Sequence, residues 1–315
     1  FGRRLKRDFQ KNWSAYLLVL PVLVYFILFH YKPMYGVIIA FKKFSIRKGI
    51  LGSPWVGLQY FREFLSSYYF WRLMKNTLSI SLASLVFGFP IPILFALLLN
   101  EIPHRGFQRV TQTVTYMPHF ISSVVVCGLM LQFCGSNGIL TRMLAALGLT
   151  PQTNLFTVPS LFQPLYIGMN VWKNMGWDSI IFFAALTSVD SELHEAAQID
   201  GAGRFQQVIH VTLPTLVPLI MLQLIMRMGQ MMNVGYEKII LLYNERVYET
   251  ADVISTYVYR SGLVGSQFSF SSAIGLFNSV INCALLVLAT LFIKKAPDEM
   301  YAAAASKDAA SGGGR

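Results

Sequence analysis

The sequence predicts an all-α membrane protein that crosses the bilayer six times, on three observations. Of its 315 residues, 54% are apolar and only 13% are charged, about half the roughly 25% charged share of a soluble globular domain. Mean hydropathy is +0.50 over the whole chain. Six apolar runs (13–31, 78–99, 116–133, 161–186, 216–232 and 274–293) reach the roughly 17–25 residues that a hydrocarbon core requires. All six read as helices, because an open strand cannot satisfy its backbone groups in lipid. A disordered chain, a disulfide scaffold and an ordinary soluble enzyme are excluded on composition.

The elements follow in order. Residues 1–12 form a basic tail (Arg3, Arg4, Lys6, Arg7, Lys11) ahead of the first span. That span, 13–31, lacks a small-x-small cleavage site and reads as an uncleaved anchor. Segment 32–76 is an external loop. Within it the apolar run 35–41 is too short to span and reads as a packed segment. The aromatic and basic stretch from Tyr60 to Asn76 reads as an amphipathic helix at the interface. Residues 77–294 form a core of five helices, and Pro21, Pro90, Pro92, Pro118, Pro164 and Pro218 predict kinks in several of the spans. Beyond 294, the Ala-, Ser- and Gly-rich tail to 315 reads as partly disordered. Lysine and arginine divide evenly between the two sides. The basic tail before the first helix then favours both termini on the cytoplasmic side.

A net charge of +11 would suggest nucleic acid in a soluble protein. Here the cations flank apolar runs and meet lipid headgroups, so membrane lipid is expected as a partner and nucleic acid is not. Cys127, Cys134 and Cys283 all lie in apolar stretches without metal-site spacing, which makes each a small buried hydrophobe.

The most informative segment is 190–214. Asp190 or Ser191 can cap a short helix with Leu193, Ala196 and Ala197 on its buried face. Asp200-Gly201-Ala202-Gly203 breaks that helix, with Gly201 free to take a left-handed conformation. A second short helix follows, carrying Phe205, Val208 and Ile209 on one side, and Leu213-Pro214 ends it and opens the next span. The result is a bent helical knob with an apolar ridge, suited to a groove of another protein.

This segment resembles the EAA loop of ABC-importer permease subunits: Glu195-Ala196-Ala197, three residues, Gly201, nine residues, Val211 in the place of the usual Ile, one residue, Leu213-Pro214. Stretches such as Pro33-Met34-Tyr35-Gly36, Gly52-Ser53-Pro54-Trp55, Pro118-His119-Phe120-Ile121 and Tyr248-Glu249-Thr250-Ala251-Asp252-Val253 extend the likeness to the LplB-type branch of carbohydrate permeases. That branch is similar to the maltose importer's permeases, and a more specific likeness is to permeases of bacterial alginate-oligosaccharide importers. The resemblance implies a type I ABC-importer permease fold with a cytoplasmic EAA coupling loop and a peripheral first helix. It implies a second related permease, two ATPase subunits that bind ATP and Mg in trans, and an external binding protein delivering an oligosaccharide. Glu195, Ala196, Ala197, Asp200, Gly201, Phe205, Leu213 and Pro214 would couple the chain to the ATPases. The binding protein would meet loops 32–76, 135–160 and 235–271.

The chain itself has no GxxxxGK[ST] phosphate cradle and no catalytic cluster, so no cofactor is expected on it. Its five histidines are scattered and read as hydrogen-bonded packing residues. Polar residues inside spans default to functional candidates. Asn170, Asn174 and Asp178 form one stripe on the fourth span, with Lys173 beside it and Trp172 and Trp177 flanking it as possible sugar platforms. Gln223, Arg227 and Gln230 share a face of the fifth, and Asn278 and Asn282 a face of the sixth. Hydrated cavity and interhelical hydrogen bonding are the two readings of these stripes. Arg227 could meet a uronate or a carboxylate of a neighbour, so an anionic and a neutral oligosaccharide both stay open. Competing classes are an ion-coupled transporter acting alone, which predicts inverted repeats, and a membrane-embedded enzyme, which predicts acidic pairs.

Overall fold

The computed structural model describes residues 11–150 and 152–311, and side chains among these except Ser191 and 292–311. The expected basic residues Arg3, Arg4, Lys6 and Arg7 lie outside it. Among the described residues no strand forms beyond a single antiparallel bridge between Lys42 and Trp55. The helices used below are α1 (Trp13–Phe26), α2 (Gln59–Leu65), α3 (Phe70–Gly88), α4 (Pro90–Asn100), α5 (Arg105–Phe120), α6 (Ser123–Phe133), α7 (Pro159–Leu186), α8 (Ser191–Ile199), α9 (Leu213–Met228), α10 (Tyr236–Leu242) and α11 (Phe268–Ser311).

Among the described residues, four helical runs are long and apolar enough to cross a membrane: Trp13–Phe41, Phe70–Asn100, Arg204–Met228 and Phe268–Leu291. The expected third span is not one rod. It is the pair α5 and α6, bent by 99° at Ile121–Ser122, and counts as a fifth crossing only if the pair is one span. The Ser122 side chain accepts from the Val125 N–H and so starts α6 afresh. The expected fourth span, α7, has the length at 28 residues but carries Asn170, Lys173, Asn174 and Asp178, which take it below the apolar threshold.

Other boundaries moved for local reasons. The apolar run 35–41 continues the first helix as a 3₁₀ segment, Tyr35–Phe41, instead of standing apart from it. The interfacial helix expected over 60–76 divides into α2 and the first turns of α3. The knob's second helix does not stop at Leu213-Pro214: helix runs unbroken from Arg204 to Met228. Pro214 has no N–H to give, and a π-turn over Val208–Thr212 absorbs the mismatch, with the Leu213 N–H bonding back to the Val208 carbonyl. Helix α11 continues to Ser311 through an alanine-rich stretch, past the point where composition suggests an irregular tail.

The chain forms two units. One runs up to Ser67 and takes in Val258–Phe277. There Phe41 stacks on Trp55, Phe64 meets Phe277 edge-on at 5.5 Å, and the Phe44 N–H donates to Ser269 Oγ at 2.9 Å. The other comprises Tyr68–Tyr257 and the chain from Asn278 on. Its axis is α7, packed against α3, α4 and α5. Phe162, Tyr166 and Met169 of α7 share a core with Ile80, Val126, Ile239 and Leu242. Phe182 and Leu186 share another with Ile93, Ala96 and Leu216. Gly176 is where α7 comes closest to α5, since a Cβ there would lie 2.2 Å from the Thr115 carbonyl oxygen. At its start α3 is fastened to the 248–254 segment: Asn76 Nδ2 donates to the Glu249 and Asp252 carbonyls, and Arg72 pairs with the fully buried Asp252.

Candidate substrate pathway and coupling surface

A cavity of about 290 Å³ opens in the second unit against α7. Ser81 and Ser84 of α3, Asn170, Asn174 and Asp178 of α7, Arg227 of α9, and Gln230, Asn233 and Lys238 beyond it all line the wall. A second cavity of about 440 Å³ is lined by Trp177, Gln223, Phe89 and Pro92. Asp178 and Arg227 line both, so this ion pair forms part of the partition between them.

The sequence-derived stripe on α7 thus does face a cavity. Its members are also tied to one another: Asn170 Nδ2 donates to the Tyr166 carbonyl at 2.8 Å and Asn174 Nδ2 to the Asn170 carbonyl at 3.0 Å. Asn174 Oδ1 is hydrogen-bonded to His119 Nδ1 at 3.1 Å. Trp177 carries the His119 ring flat on one face, with centroids 4.5 Å apart, which leaves that face unavailable to a sugar. Trp172 lines neither cavity. Lys173 turns away from the stripe. It is 7% exposed and donates to the Ile121 carbonyl at 2.7 Å, the group set free by the break between α5 and α6.

Arg227 finds its carboxylate inside the chain, on Asp178. Gln223 shares its helix, while Gln230 falls past the end of α9, in a turn that bonds to the Arg227 carbonyl. Asn278 and Asn282 both donate to Asn233 Oδ1, and Asn282 Oδ1 accepts from the Met232 N–H. Those two asparagines hold the segment after α9 and do not line either cavity, which is the interhelical reading of their stripe.

Lys238 escaped the sequence reading, because it lay in a loop treated as external. Its Nζ donates to Asn170 Oδ1 at 2.5 Å. The signal was available: four consecutive apolar residues, Ile239 to Leu242, follow it directly. Ile239 and Leu242 are buried and anchor α10 beside α6.

The knob has the expected cap and glycine bend. Asp190 caps α8, its side chain accepting from the Glu192 N–H at 3.0 Å. Gly201 sits at φ +77° with open space where a Cβ would be, so the backbone conformation alone selects glycine. Gln206 Oε1 accepts from the Gly203 N–H at 2.9 Å and starts the next helix. Of the face expected to be buried, Leu193 is 51% exposed and only Ala197 is half-buried, while Ile199 and Phe205 stand 88% and 77% exposed. Glu195 and Ala196 are exposed too, and Leu213 is half-buried.

Residues 88–296 match the model of a protein family described as binding-protein-dependent transport system inner membrane component. The chain belongs to this family. Inner-membrane components of this kind are non-catalytic membrane-spanning subunits of ABC transport systems. The chain is 40% identical to protein LplB of Bacillus subtilis (strain 168) over 296 residues, 94% of this chain and 92% of that one. It is 41% identical to the polygalacturonan/rhamnogalacturonan transport system permease protein YteP of the same organism, over 90% of this chain and 88% of that one. In fold it resembles a chain of a bacterial ABC transporter involved in the import of the acidic polysaccharide alginate. Against that chain the TM-score is 0.85, with 43% identity over 93% of this chain and 99% of the other. A second structure, of a bacterial alginate ABC transporter in complex with alginate pentasaccharide-bound periplasmic protein, gives 0.83 at 43% identity over 91% and 96%.

Proposed function

We propose that this chain is the membrane-spanning permease of a binding-protein-dependent ABC importer for acidic oligosaccharides. The observation that carries the reading is the 43% identity, over nearly the whole of both chains, to a subunit of an alginate importer. The likeness to a polygalacturonan permease supports it, since that polymer is also built of uronates. The six-span architecture counts the bent pair α5–α6 as one crossing and α7 as another. Asn170, Asn174 and Asp178 of α7 then face the cavity and not lipid, the arrangement in which intramembrane polar groups are tolerated. Both termini lie in the cytoplasm.

The 190–214 knob is the EAA coupling loop. Its exposed Leu193, Ile199 and Phe205 supply the apolar ridge that one of two ATPase subunits covers. ATP and Mg stay on those subunits, and this chain holds no cofactor. A second, related permease completes the pathway, and an external binding protein delivers the sugar. Closure of the ATPases moves the knob, and the knob moves α9, because one helix runs from Arg204 to Met228 and carries Arg227, in its last turn, onto the cavity wall. Alternating access is a switch between two such arrangements. Asn170, Asn174, Asp178, Arg227 and Gln230 line the sugar's route, with Gln223 and Trp177 on the second cavity.

Co-purification with the partner subunits, reconstitution in proteoliposomes and uptake of uronate oligosaccharides test the reading. Uptake is expected to require both ATP and loaded binding protein. Uptake by this chain alone, driven by a proton or sodium gradient, would overturn it.

A further inference from the structure

We propose that Lys238 is the group that reads the carboxylate of the passing sugar. The inference rests on the acidic-oligosaccharide reading above and assigns its selectivity to one side chain. Among the described residues, three cations lie on or are bonded to the Asn170–Asp178 stretch of α7, and the structure sorts them. Lys173 spends its ammonium on the Ile121 carbonyl, away from the cavity. Arg227 is neutralised by Asp178. Lys238 has only a neutral acceptor, Asn170 Oδ1, and among the described residues no carboxylate pairs with it. Glu237, its neighbour in sequence, is exposed and acts on it only through space, beyond ion-pair distance.

An ammonium carries three donors, so one bond to Asn170 leaves two for a ligand. The cost of an uncompensated cation falls when an anion arrives, and it is high where the surroundings are poorly hydrated. Lys238 and its partner Asn170 both line the cavity, which Ser81, Ser84 and Gln230 also line with neutral groups suited to ring hydroxyls. Its position is built: Ile239 and Leu242 anchor α10, and the stretch ahead of it is pinned where Asn282 accepts from the Met232 N–H and Ser255 donates to the Val234 carbonyl. A lysine also suits a site that must release what it holds. Its point charge attracts a carboxylate without the two-pronged lock of a guanidinium.

The test is ATP-driven uptake by the complete importer in proteoliposomes. Alginate tetrasaccharide and trigalacturonate are compared with carboxyl-reduced sugars of the same length, in wild type, Lys238→Gln, Lys238→Arg and Asn170→Asp. Lys238→Gln is expected to lower the uronate-to-reduced uptake ratio about tenfold or more, the scale of one charge-assisted hydrogen bond, mainly through KM. Lys238→Arg should restore most of the ratio. Asn170→Asp places a carboxylate against the ammonium, as Asp178 does for Arg227, and should lower the ratio with Lys238 still present. That variant decides the matter if Lys238→Gln fails to assemble. An unchanged ratio in both variants overturns the role of Lys238 and leaves the acidic substrate standing. A wild type that carries only the reduced sugars overturns the substrate reading and this inference with it.

Discussion

In the 190–214 knob, Ile199 and Phe205 stand 88% and 77% exposed on a segment whose shape is set by backbone, whereas on α7, a few turns earlier in the chain, the cation Lys173 is 7% exposed and fastened to a carbonyl. The two regions invert the usual arrangement in opposite senses. The knob turns apolar groups outward around a glycine bend, which on the proposed reading leaves a surface for a partner to cover. Helix α7 turns polar groups inward and satisfies most of them within the chain. A substitution in the knob should therefore damage function with the fold intact, while a substitution on the packed side of α7 should damage both together.

The largest effect expected is at Gly176. A Cβ there would lie 2.2 Å from the backbone oxygen of Thr115, and backbone cannot step aside as a side-chain end can. Gly176→Val should abolish the monodisperse, detergent-purified protein. The next largest is at Gly201, where φ is +77° and the surroundings are open. A β-branched residue in that conformation costs about 1–2 kcal/mol or more, while asparagine tolerates it. Gly201→Val should purify normally yet lose most ATP-coupled uptake, and Gly201→Asn should keep most of it. The contrast between the regions breaks if Gly201→Val aggregates, or if Gly176→Val purifies and transports.

What could be read from the sequence divides along the same line. The knob was legible because its features are local: an Asp cap, a glycine bend and a spacing of fixed residues all lie within one stretch of chain. The apolar ridge was legible, but the exposure of Leu193 and Ala196 on its first helix was not, since an apolar face looks the same whether or not its own chain covers it. The polar stripe of α7 was legible as a stripe, because helical period puts Asn170, Asn174 and Asp178 on one side. The identity of each partner was not. Arg227 meets Asp178 across 49 positions of sequence, and Lys238 meets Asn170 across 68. No periodicity within one helix encodes such pairs. Pro118 marked the third span for a kink, but the place and size of the break at Ile121–Ser122 were hidden for a similar reason. The apolar run 116–133 is continuous, and what makes its 99° bend affordable is an ammonium from α7.

The smallest expected effect sharpens the comparison within α7 itself. Lys173 and Arg227 are both cations bonded within the chain, but their settings differ. Arg227 and Asp178 have side chains 46% and 27% exposed, so water screens the pair and its contribution to stability should fall near 0–1 kcal/mol, as for exposed pairs generally. Lys173 is buried, and the Ile121 carbonyl it serves belongs to a chain break and not to a helix ladder. Lys173→Met removes that donor, and an unsatisfied buried carbonyl costs about 1–3 kcal/mol. Part of this is offset because no charge need then be buried. The expected outcome is a thermal midpoint in detergent lowered by a few degrees for Lys173→Met, and little changed for Arg227→Gln. Equal shifts in the two variants would show that the bend at Ile121 holds without the ammonium, and that α7 does not fasten the α5–α6 pair in the way the geometry indicates.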